Sequence, residues 1–149
     1  MPVSISQYVL KVASRCDLAC NHCYVYEHAD QSWRSKPTFI TQAIVRQAAR
    51  RIGEHAEAHK LATVHVVLHG GEPLLLRHDR LRGILSTLRS AIDPVTRLDL
   101  RIHTNGVLLN EGLCALFAEY AVQVGVSLDG DRAQAAPARA SRHRRQPAP

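Results

Sequence analysis

Three cysteines lie close together near the start of the chain, with the spacing C-x3-C-x2-C. They are Cys16, Cys20 and Cys23, and the chain contains only one other cysteine, Cys114. A closed zinc site uses four protein ligands, and a ferredoxin-type cluster uses four cysteines. Three thiolates on a four-iron cluster therefore leave one iron open to another ligand. This spacing predicts a chemically active metal site rather than a structural one.

The segments that must position these cysteines alternate between two periodicities. Strand-like runs cover residues 5–12, 63–69, 98–104 and 122–128. Helical spacing of apolar residues follows two N-cap candidates, Thr41 and Asn110, and covers residues 81–92. Strands that alternate with helices predict βαβ units and a parallel sheet with right-handed crossovers. We therefore predict an α/β fold that forms about half of a β/α barrel, with four parallel strands and three helices.

The segments whose residue types could take part in chemistry lie directly after these predicted strands. The cysteine loop follows the first strand, and residues 70–73 (GGEP), 105–106 (NG) and 129–130 (DG) follow the other three. The carboxyl ends of the strands form the active face of a β/α barrel. We therefore expect the four segments to meet at one edge of the sheet.

Four motifs in this order resemble the N-terminal part of the radical S-adenosylmethionine (SAM) superfamily. They are the cysteine triplet, residues 69–75 (HGGEPLL), residues 103–109 (HTNGVLL) and residues 126–130 (VSLDG). More narrowly, the chain resembles the SPASM-type peptide maturases of the FxSxx-COOH system (FxsB type). The resemblance covers roughly residues 5–132, and it implies the N-terminal half of a partial (β/α)6 TIM-like barrel.

The resemblance implies two cofactors, a [4Fe-4S] cluster and SAM. In the superfamily, three such cysteines hold the cluster, and SAM binds the fourth iron through its amino and carboxylate groups. Cys16, Cys20 and Cys23 would be the metal ligands here. For the cysteines alone, the alternative is a zinc knuckle with His22 or His28 as the fourth ligand, which leaves the other three motifs unexplained.

Eight further residues are expected to contact SAM, although each could also be an ordinary turn or loop residue. Gly70 and Gly71 allow a ligand to approach the backbone, and Glu72 offers an acceptor for the SAM ammonium group. Either His22 or the Tyr24 backbone would contact the adenine. The complete expected set is His22, Tyr24, Gly70, Gly71, Glu72, Asn105, Ser127 and Asp129.

The activity implied by the resemblance is reductive cleavage of SAM to a 5′-deoxyadenosyl radical, which takes a hydrogen atom from the substrate. The expected substrate is a ribosomally made precursor peptide, whose side chains would be modified or crosslinked. A donor such as a flavodoxin or ferredoxin would reduce the cluster. Two rival classes are a non-catalytic iron–sulfur or zinc-binding module and a fragment whose basic tail binds an acidic partner.

The last part of the chain differs sharply in composition from the rest. Residues 131–149 contain five Arg, six Ala and three Pro, and they carry four of the six net positive charges. We predict an incomplete radical SAM core domain over residues 1–130 and a disordered basic tail over residues 131–149. The tail composition is typical of a shifted reading frame in GC-rich DNA. A truncated or frameshifted maturase, inactive on peptide by itself, is therefore expected.

Composition and side-chain patterning limit the remaining classes. No apolar run reaches the ~20 residues that span a bilayer, and the N-terminus lacks a signal-type segment, so we expect a cytoplasmic protein with no membrane partner. Nucleic-acid binding is disfavoured because the body of the chain is only slightly basic. We expect Cys114 to be buried, and we expect three histidines, His55, His59 and His78, to face solvent. Tyr26 and Trp33 would line the substrate side, pack against a helix or anchor the loop.

Overall fold

The computed structural model describes residues 3–20, residues 23–128 and the backbone of residues 139–141. Four parallel strands form its main sheet: β1 (Gln7–Ala13), β3 (Thr63–Gly70), β4 (Arg97–Thr104) and β5 (Val122–Val126). Their order across the sheet is β1-β3-β4-β5. The crossovers contain the helices α1 (Gln42–Ala58), α2 (Arg77–Ile92) and α3 (Glu111–Glu119). The predicted α/β half-barrel is confirmed.

The helices begin and end where the sequence places caps. The Thr41 hydroxyl accepts a hydrogen bond from the Ile44 N–H at 3.3 Å, and the Asn110 side chain accepts one from the Leu113 N–H at 3.0 Å. These side chains satisfy amide groups that have no partner within their own helix. Helix α2 ends at Ile92, directly before Asp93 and Pro94.

The hydrophobic core lies between one face of the sheet and the three helices. Every second residue of the central strands is buried there, as the alternation of side chains along a strand requires. The strand residues of this core are Val12, Val64, Val66, Leu68, Leu98, Leu100 and Ile102. The helices contribute Val45, Ala49, Ile52, Ala56, Leu81, Ile84, Leu85, Leu88, Ile92, Leu113, Leu116 and Phe117. We call this side of the sheet the helix face and the opposite side the concave face.

Two predictions about side-chain placement are wrong. Cys114 is exposed rather than buried, because each residue turns about 100° around a helix and the buried side of α3 consists of Leu113, Leu116 and Phe117. His55 is half-buried, since its Nε2 accepts a hydrogen bond from the Ile5 N–H at 3.0 Å. His59 packs against the His55 ring, with centroids 4.2 Å apart.

A second, two-stranded sheet joins the cysteine loop to the basic tail. Strand β2 (Leu18–Cys20) pairs antiparallel with β6 (Arg139–Ser141), and Cys20 lies opposite Arg139. Three residues of the segment predicted to be a disordered tail thus form a strand in the structure. The rest of the tail, residues 131–138 and 142–149, lies outside the described residues.

None of the helices in the described ranges is long and apolar enough to span a membrane.

Candidate functional site

The cysteine loop begins where β1 ends. Cys16 follows Ala13 by a few residues, Cys20 is the last residue of β2, and the Cys23 N–H donates to the Cys20 carbonyl at 3.2 Å. All three thiols are half-buried. Within the described residues, no three Cys, His, Asp or Glu side chains converge as a metal-binding group. The structure therefore brings the cysteines into one loop without setting their sulfur atoms around a common point.

Both flanks of this loop are anchored by contacts to Trp33, one of the two residues for which an anchoring role was an expected alternative. The Arg15 guanidinium donates to the carbonyls of Trp33 at 2.7 Å and Arg34 at 3.1 Å, and it lies over the Trp33 ring. On the other flank, Tyr26 is buried and meets the same Trp33 ring edge-on at 4.8 Å. Trp33 therefore ties together the segments before and after the cysteines.

The glycine turn after β3 packs against the start of the cysteine loop. The Gly71 N–H donates to the Ala13 carbonyl at 3.0 Å, and the Glu72 N–H donates to the Arg15 carbonyl at 2.9 Å. A Cβ atom on Gly71 would collide with the Arg15 carbonyl and the Tyr26 hydroxyl. Gly70 has φ 151°, and a Cβ there would collide with the Ala13 carbonyl. The close approach that the glycines permit is therefore to the chain itself, and their contact with SAM stays a prediction.

Glu72 is completely buried and its carboxylate bridges two strand ends. Its Oε1 accepts hydrogen bonds from the Leu74 N–H at 2.9 Å and the Thr104 hydroxyl at 2.7 Å, and its Oε2 accepts one from the Asn105 N–H at 2.7 Å. Burial raises the pKa of this carboxyl group above its usual value, and the three hydrogen bonds oppose that shift. Glu72 thus joins the turn after β3 to the turn after β4.

Asn105 continues this network to the first cysteine. Its Nδ2 donates to Asp17 Oδ1 at 2.8 Å and lies 4.0 Å from the Cys16 sulfur atom. Its Oδ1 accepts from the Val107 N–H at 2.9 Å, which fixes the orientation of the amide. A continuous chain of hydrogen bonds therefore runs from Glu72 through Asn105 to Asp17, beside Cys16.

The other predicted SAM contacts have varied positions. Tyr24 is 73% exposed and borders a cavity, while Ser127 follows β5 and its N–H donates to the Thr104 carbonyl at 2.9 Å. His22 and Asp129 lie outside the described residues. The structure thus brings Cys16, Glu72 and Asn105 into one network, and Ser127 bonds to the backbone of Thr104, whose hydroxyl donates to Glu72.

A cavity of about 610 Å³ opens beside the glycine turn. It extends from the end of β1 to the segment that precedes α1. Its lining includes Lys11, Tyr24, Trp33, Phe39, His69 and Gly71. A cavity of this size and mixed polarity is large enough for a cofactor or a few residues of a peptide.

The concave face carries polar side chains at alternating strand positions. Asp99 is the acceptor for three of them: His65 Nδ1 lies 2.9 Å from its carboxylate, Arg101 donates at 2.7 Å, and Gln123 donates at 3.2 Å. The hydrogen bond from Arg101 is the main reason that the pKa of Asp99 is lowered, and His65 adds to it. This pattern of alternating polar residues was the sequence signal that could have identified the concave face.

The ends of the strands on the same face carry three basic residues that the sequence analysis did not assign. Lys11 lies opposite His69 in the β1–β3 register, and the rings of His69 and His103 meet edge-on at 5.9 Å. Burial lowers the pKa of His69, and repulsion from His103 and Lys11 lowers it further. We call Lys11, His69 and His103 the basic row.

A half-barrel of parallel strands with a cysteine triplet, a GGE turn and an Asn-Gly turn at one edge defines a class of enzyme fold. The sequence matches the Radical SAM superfamily over residues 10–147, and the chain belongs to this superfamily. The superfamily implies SAM and an iron–sulfur cluster as cofactors.

The most similar curated relatives include several maturating enzymes. The chain is 30% identical over 133 residues to the serine-type anaerobic sulfatase-maturating enzyme of Klebsiella aerogenes, covering 89% of this chain and 31% of that protein. It is 27% identical to the cysteine-type anaerobic sulfatase-maturating enzyme of Clostridium novyi (strain NT), covering 87% of this chain and 33% of that protein. The chain spans about a third of the length of these relatives.

Solved structures share this fold. A histidine-tagged anSMEcpe with bound AdoMet matches with a TM-score of 0.77 and 19% sequence identity, over 93% of this chain and 36% of that chain. Native anSMEcpe with bound AdoMet and a peptide matches with a TM-score of 0.75 and 19% identity, over 92% and 35%. At this identity, the likeness establishes the fold of the described strands and helices.

Proposed function

We propose that this chain is the N-terminal part of a radical SAM enzyme that binds a [4Fe-4S] cluster and SAM and modifies side chains of a peptide substrate. The observation that supports this most is the hydrogen-bonded chain from Glu72 through Asn105 to Asp17. It connects three of the four motifs at the carboxyl edge of the sheet, beside Cys16. A residue that only forms its own turn does not require hydrogen bonds to the ends of two other strands.

The cluster ligands in this proposal are Cys16, Cys20 and Cys23. Thiolates are the preferred ligands of iron–sulfur clusters, and all three cysteines are half-buried on one loop whose flanks are fixed by Arg15 and Tyr26. When bound, the reduced cluster and SAM together supply a radical that removes a hydrogen atom from the substrate. A flavodoxin or a ferredoxin would be the electron donor.

Glu72 has two roles in this proposal. Its buried carboxylate accepts hydrogen bonds from Leu74, Thr104 and Asn105 and so holds the two turns, and its remaining acceptor site would receive the SAM ammonium group. Direct contacts to SAM are assigned to the exposed Tyr24 segment and to the peptide groups of Gly70 and Gly71, which border the same cavity. His22, Asn105, Ser127 and Asp129 complete the proposed set.

The experiment that tests cluster binding is anaerobic reconstitution of the full chain with iron and sulfide, followed by EPR of the reduced protein with and without SAM. Alanine variants of Cys16, Cys20 and Cys23 should each lose the cluster signal, and Cys114→Ala should keep it because this thiol is exposed on α3. A spectrum that changes when SAM is added supports the enzyme. Stoichiometric zinc with no cluster would establish the binding module instead.

The substrate class is the finer part of the proposal, and two candidates exist. The sequence motifs favour a ribosomally made precursor peptide that is modified or crosslinked, whereas the curated relatives are named as sulfatase-maturating enzymes. Each class of peptide should be incubated with the reconstituted chain, SAM and a reductant. Tandem mass spectrometry then locates any loss of hydrogen. A mass change confined to one residue indicates a single-site modification, and a mass change shared by two linked residues indicates a crosslink.

The division of the chain at residue 130 also belongs to this proposal. Residues 1–130 would form the radical SAM core and residues 131–149 a separate basic tail, although β6 of the tail pairs with β2 of the cysteine loop. Deletion of residues 131–149 should leave the main sheet folded, as measured by circular dichroism. If the deletion abolishes binding of an acidic partner and leaves the cluster spectrum unchanged, the tail is an interaction segment.

A further inference from the structure

The basic row lies on the concave face, at the carboxyl end of three neighbouring strands. Lys11 and His69 are directly opposite each other in the register of β1 and β3, and His103 of β4 meets His69 ring to ring at 5.9 Å. All three belong to the set of alternating residues that point away from the helix face. Three strands thus present three basic side chains side by side, next to the glycine turn.

The basic row differs in its ion pairing from the basic residues farther from the strand ends. Earlier along the same two strands, His65 of β3 and Arg101 of β4 share the carboxylate of Asp99. For Lys11, His69 and His103, the described part of the chain provides no carboxylate at ion-pair distance. The charges of Lys11 and His103 instead act on His69 and disfavour its protonation. A negative group placed among the three would relieve this repulsion.

The structure also leaves room for such a group. Lys11 and His69 border the cavity of about 610 Å³, together with Gly70 and Gly71. On the far side of the row, β5 has Gly125 opposite His103, and a Cβ atom there would stand 3.0 Å from the His103 ring. The absence of a side chain at position 125 therefore lets the His103 ring lie close to the β5 backbone.

We propose that the basic row is a specificity site that binds a carboxylate of the peptide substrate. A carboxylate offers two oxygen atoms, which can accept hydrogen bonds from the Lys11 ammonium and from a histidine N–H at the same time. The carboxylate can belong to an acidic side chain or to the C-terminus of the peptide. This inference rests on the proposed peptide-modifying function, because it assigns the substrate group that this function would recognise.

The test uses the full chain with isotopically labelled histidine and three ten-residue Ala/Ser peptides. One has an internal Glu and an amidated C-terminus, the second has Gln at that position and a free C-terminus, and the third has Gln and an amidated C-terminus. NMR follows the ring resonances of His69 and His103, which are assigned with His69→Gln and His103→Gln. We expect at least one carboxylate peptide to shift both resonances and to bind about three- to tenfold more tightly than the third peptide.

Charge-matched variants separate a specific site from general attraction to a basic protein. Lys11→Met should remove the preference for the carboxylate peptide, whereas Arg97→Met, an exposed position at the opposite end of β4, should retain it. Gly125→Ala provides a second test that keeps all three basic residues: it should displace the His103 ring and weaken the preference. Circular dichroism confirms that each variant is folded.

A failure of this inference can be distinguished from a failure of the proposed function. Equal binding of all three peptides, or an equal effect of Lys11→Met and Arg97→Met, overturns the inference. Displacement of the peptide by SAM also overturns it, because the row would then belong to the SAM site. Formation of 5′-deoxyadenosine by the reconstituted chain is measured separately, so a failure of SAM cleavage is recognised even where carboxylate binding is observed.

Discussion

The two faces of the main sheet are built from the same strands but have opposite characters. On the helix face, Val64, Leu100 and Ile102 are completely buried against the helices. On the concave face, their neighbours in sequence are His65, Asp99, Arg101 and His103, which remain at least partly accessible. Because side chains alternate along a strand, one sequence can supply a core on one side and a polar site on the other.

The difference indicates how stability and chemistry are divided in this molecule. Burial of apolar surface contributes roughly 25 cal/mol per Å², so the helix face should provide most of the free energy of folding. Ion pairs that are partly exposed contribute little, which applies to Arg101 and its partner Asp99. The concave face should therefore tolerate substitution in terms of stability, and its residue types are available for recognition and catalysis.

The largest effect that would test this contrast is expected in the core. Leu85→Ala removes a fully buried side chain of α2 and should lower the free energy of unfolding by about 2–5 kcal/mol. Val9→Ala, on the concave face of β1 and 56% exposed, should cost less than about 1 kcal/mol. Urea denaturation of both variants provides the measurement. Equal losses would contradict the division between the two faces.

Glu72→Gln tests the buried connection between the two turns, and a loss of about 1–3 kcal/mol is expected at low pH. Only one amide oxygen replaces two acceptors, so at least one of the N–H groups of Leu74 and Asn105 or the Thr104 hydroxyl loses its partner. Since the pKa of Glu72 is raised by burial, the folded state binds the proton more tightly than the unfolded chain. The native protein should therefore lose stability as pH rises from about 4.5 through the raised pKa, and the difference between native and variant should shrink over that window.

Glu119 is a matched control, because the pKa of its carboxyl group is shifted in the opposite direction to that of Glu72. Its pKa is lowered by the hydrogen bond from Arg82, so its contribution is present above its ordinary pKa and is lost as pH falls. Glu119→Gln should therefore lower stability at neutral pH and have little effect in acid. Urea midpoints measured from acid to neutral pH would follow both variants. A Glu72→Gln difference that grows with pH would refute the assigned role.

The smallest effects compare one arginine from each face. Arg89 of α2 donates to the carbonyls of Leu98 at 2.7 Å and Tyr120 at 2.8 Å, which joins α2 to the neighbouring strand and to the end of α3. Arg89→Met should cost about 1–2 kcal/mol, because these carbonyls lose a charged donor. Arg101→Met, which loses its pair with Asp99 at the accessible concave face, should cost less. Thermal unfolding measures the loss of stability in both variants. A larger loss for Arg101→Met than for Arg89→Met would show that the concave face is the more important for stability.

The elements of the fold could be predicted because they depend on local patterns. Alternating apolar residues identified all four strands of the main sheet, and Thr41 and Asn110 identified two helix starts, since a cap needs only a residue and its near neighbours. The burial of Cys114 was predicted incorrectly for an equally local reason. A shift of one position along a helix moves a side chain to a different face. The pattern of apolar residues therefore does not show whether a residue at the edge of the apolar stripe is buried.

The site was less predictable because its contacts join distant parts of the chain. The sequence identified Glu72 and Asn105 as site residues, but the hydrogen bond between them depends on the parallel register of β3 and β4. Likewise, the basic row exists only because three strands lie in the order that places Lys11 beside His69 and His69 near His103. The pairing of β2 with β6 was missed because three residues are too few to form a recognisable pattern.

The anchoring of the cysteine loop has a consequence for how readily a ligand set can assemble. Fixing the backbone of one residue costs about 1–2 kcal/mol of conformational entropy. Arg15 and Tyr26 hold the two flanks of the loop through Trp33, and the glycine turn packs against the same segment. The entropy of these flanking residues is therefore already lost when the protein folds, and a ligand that binds between them does not have to order them.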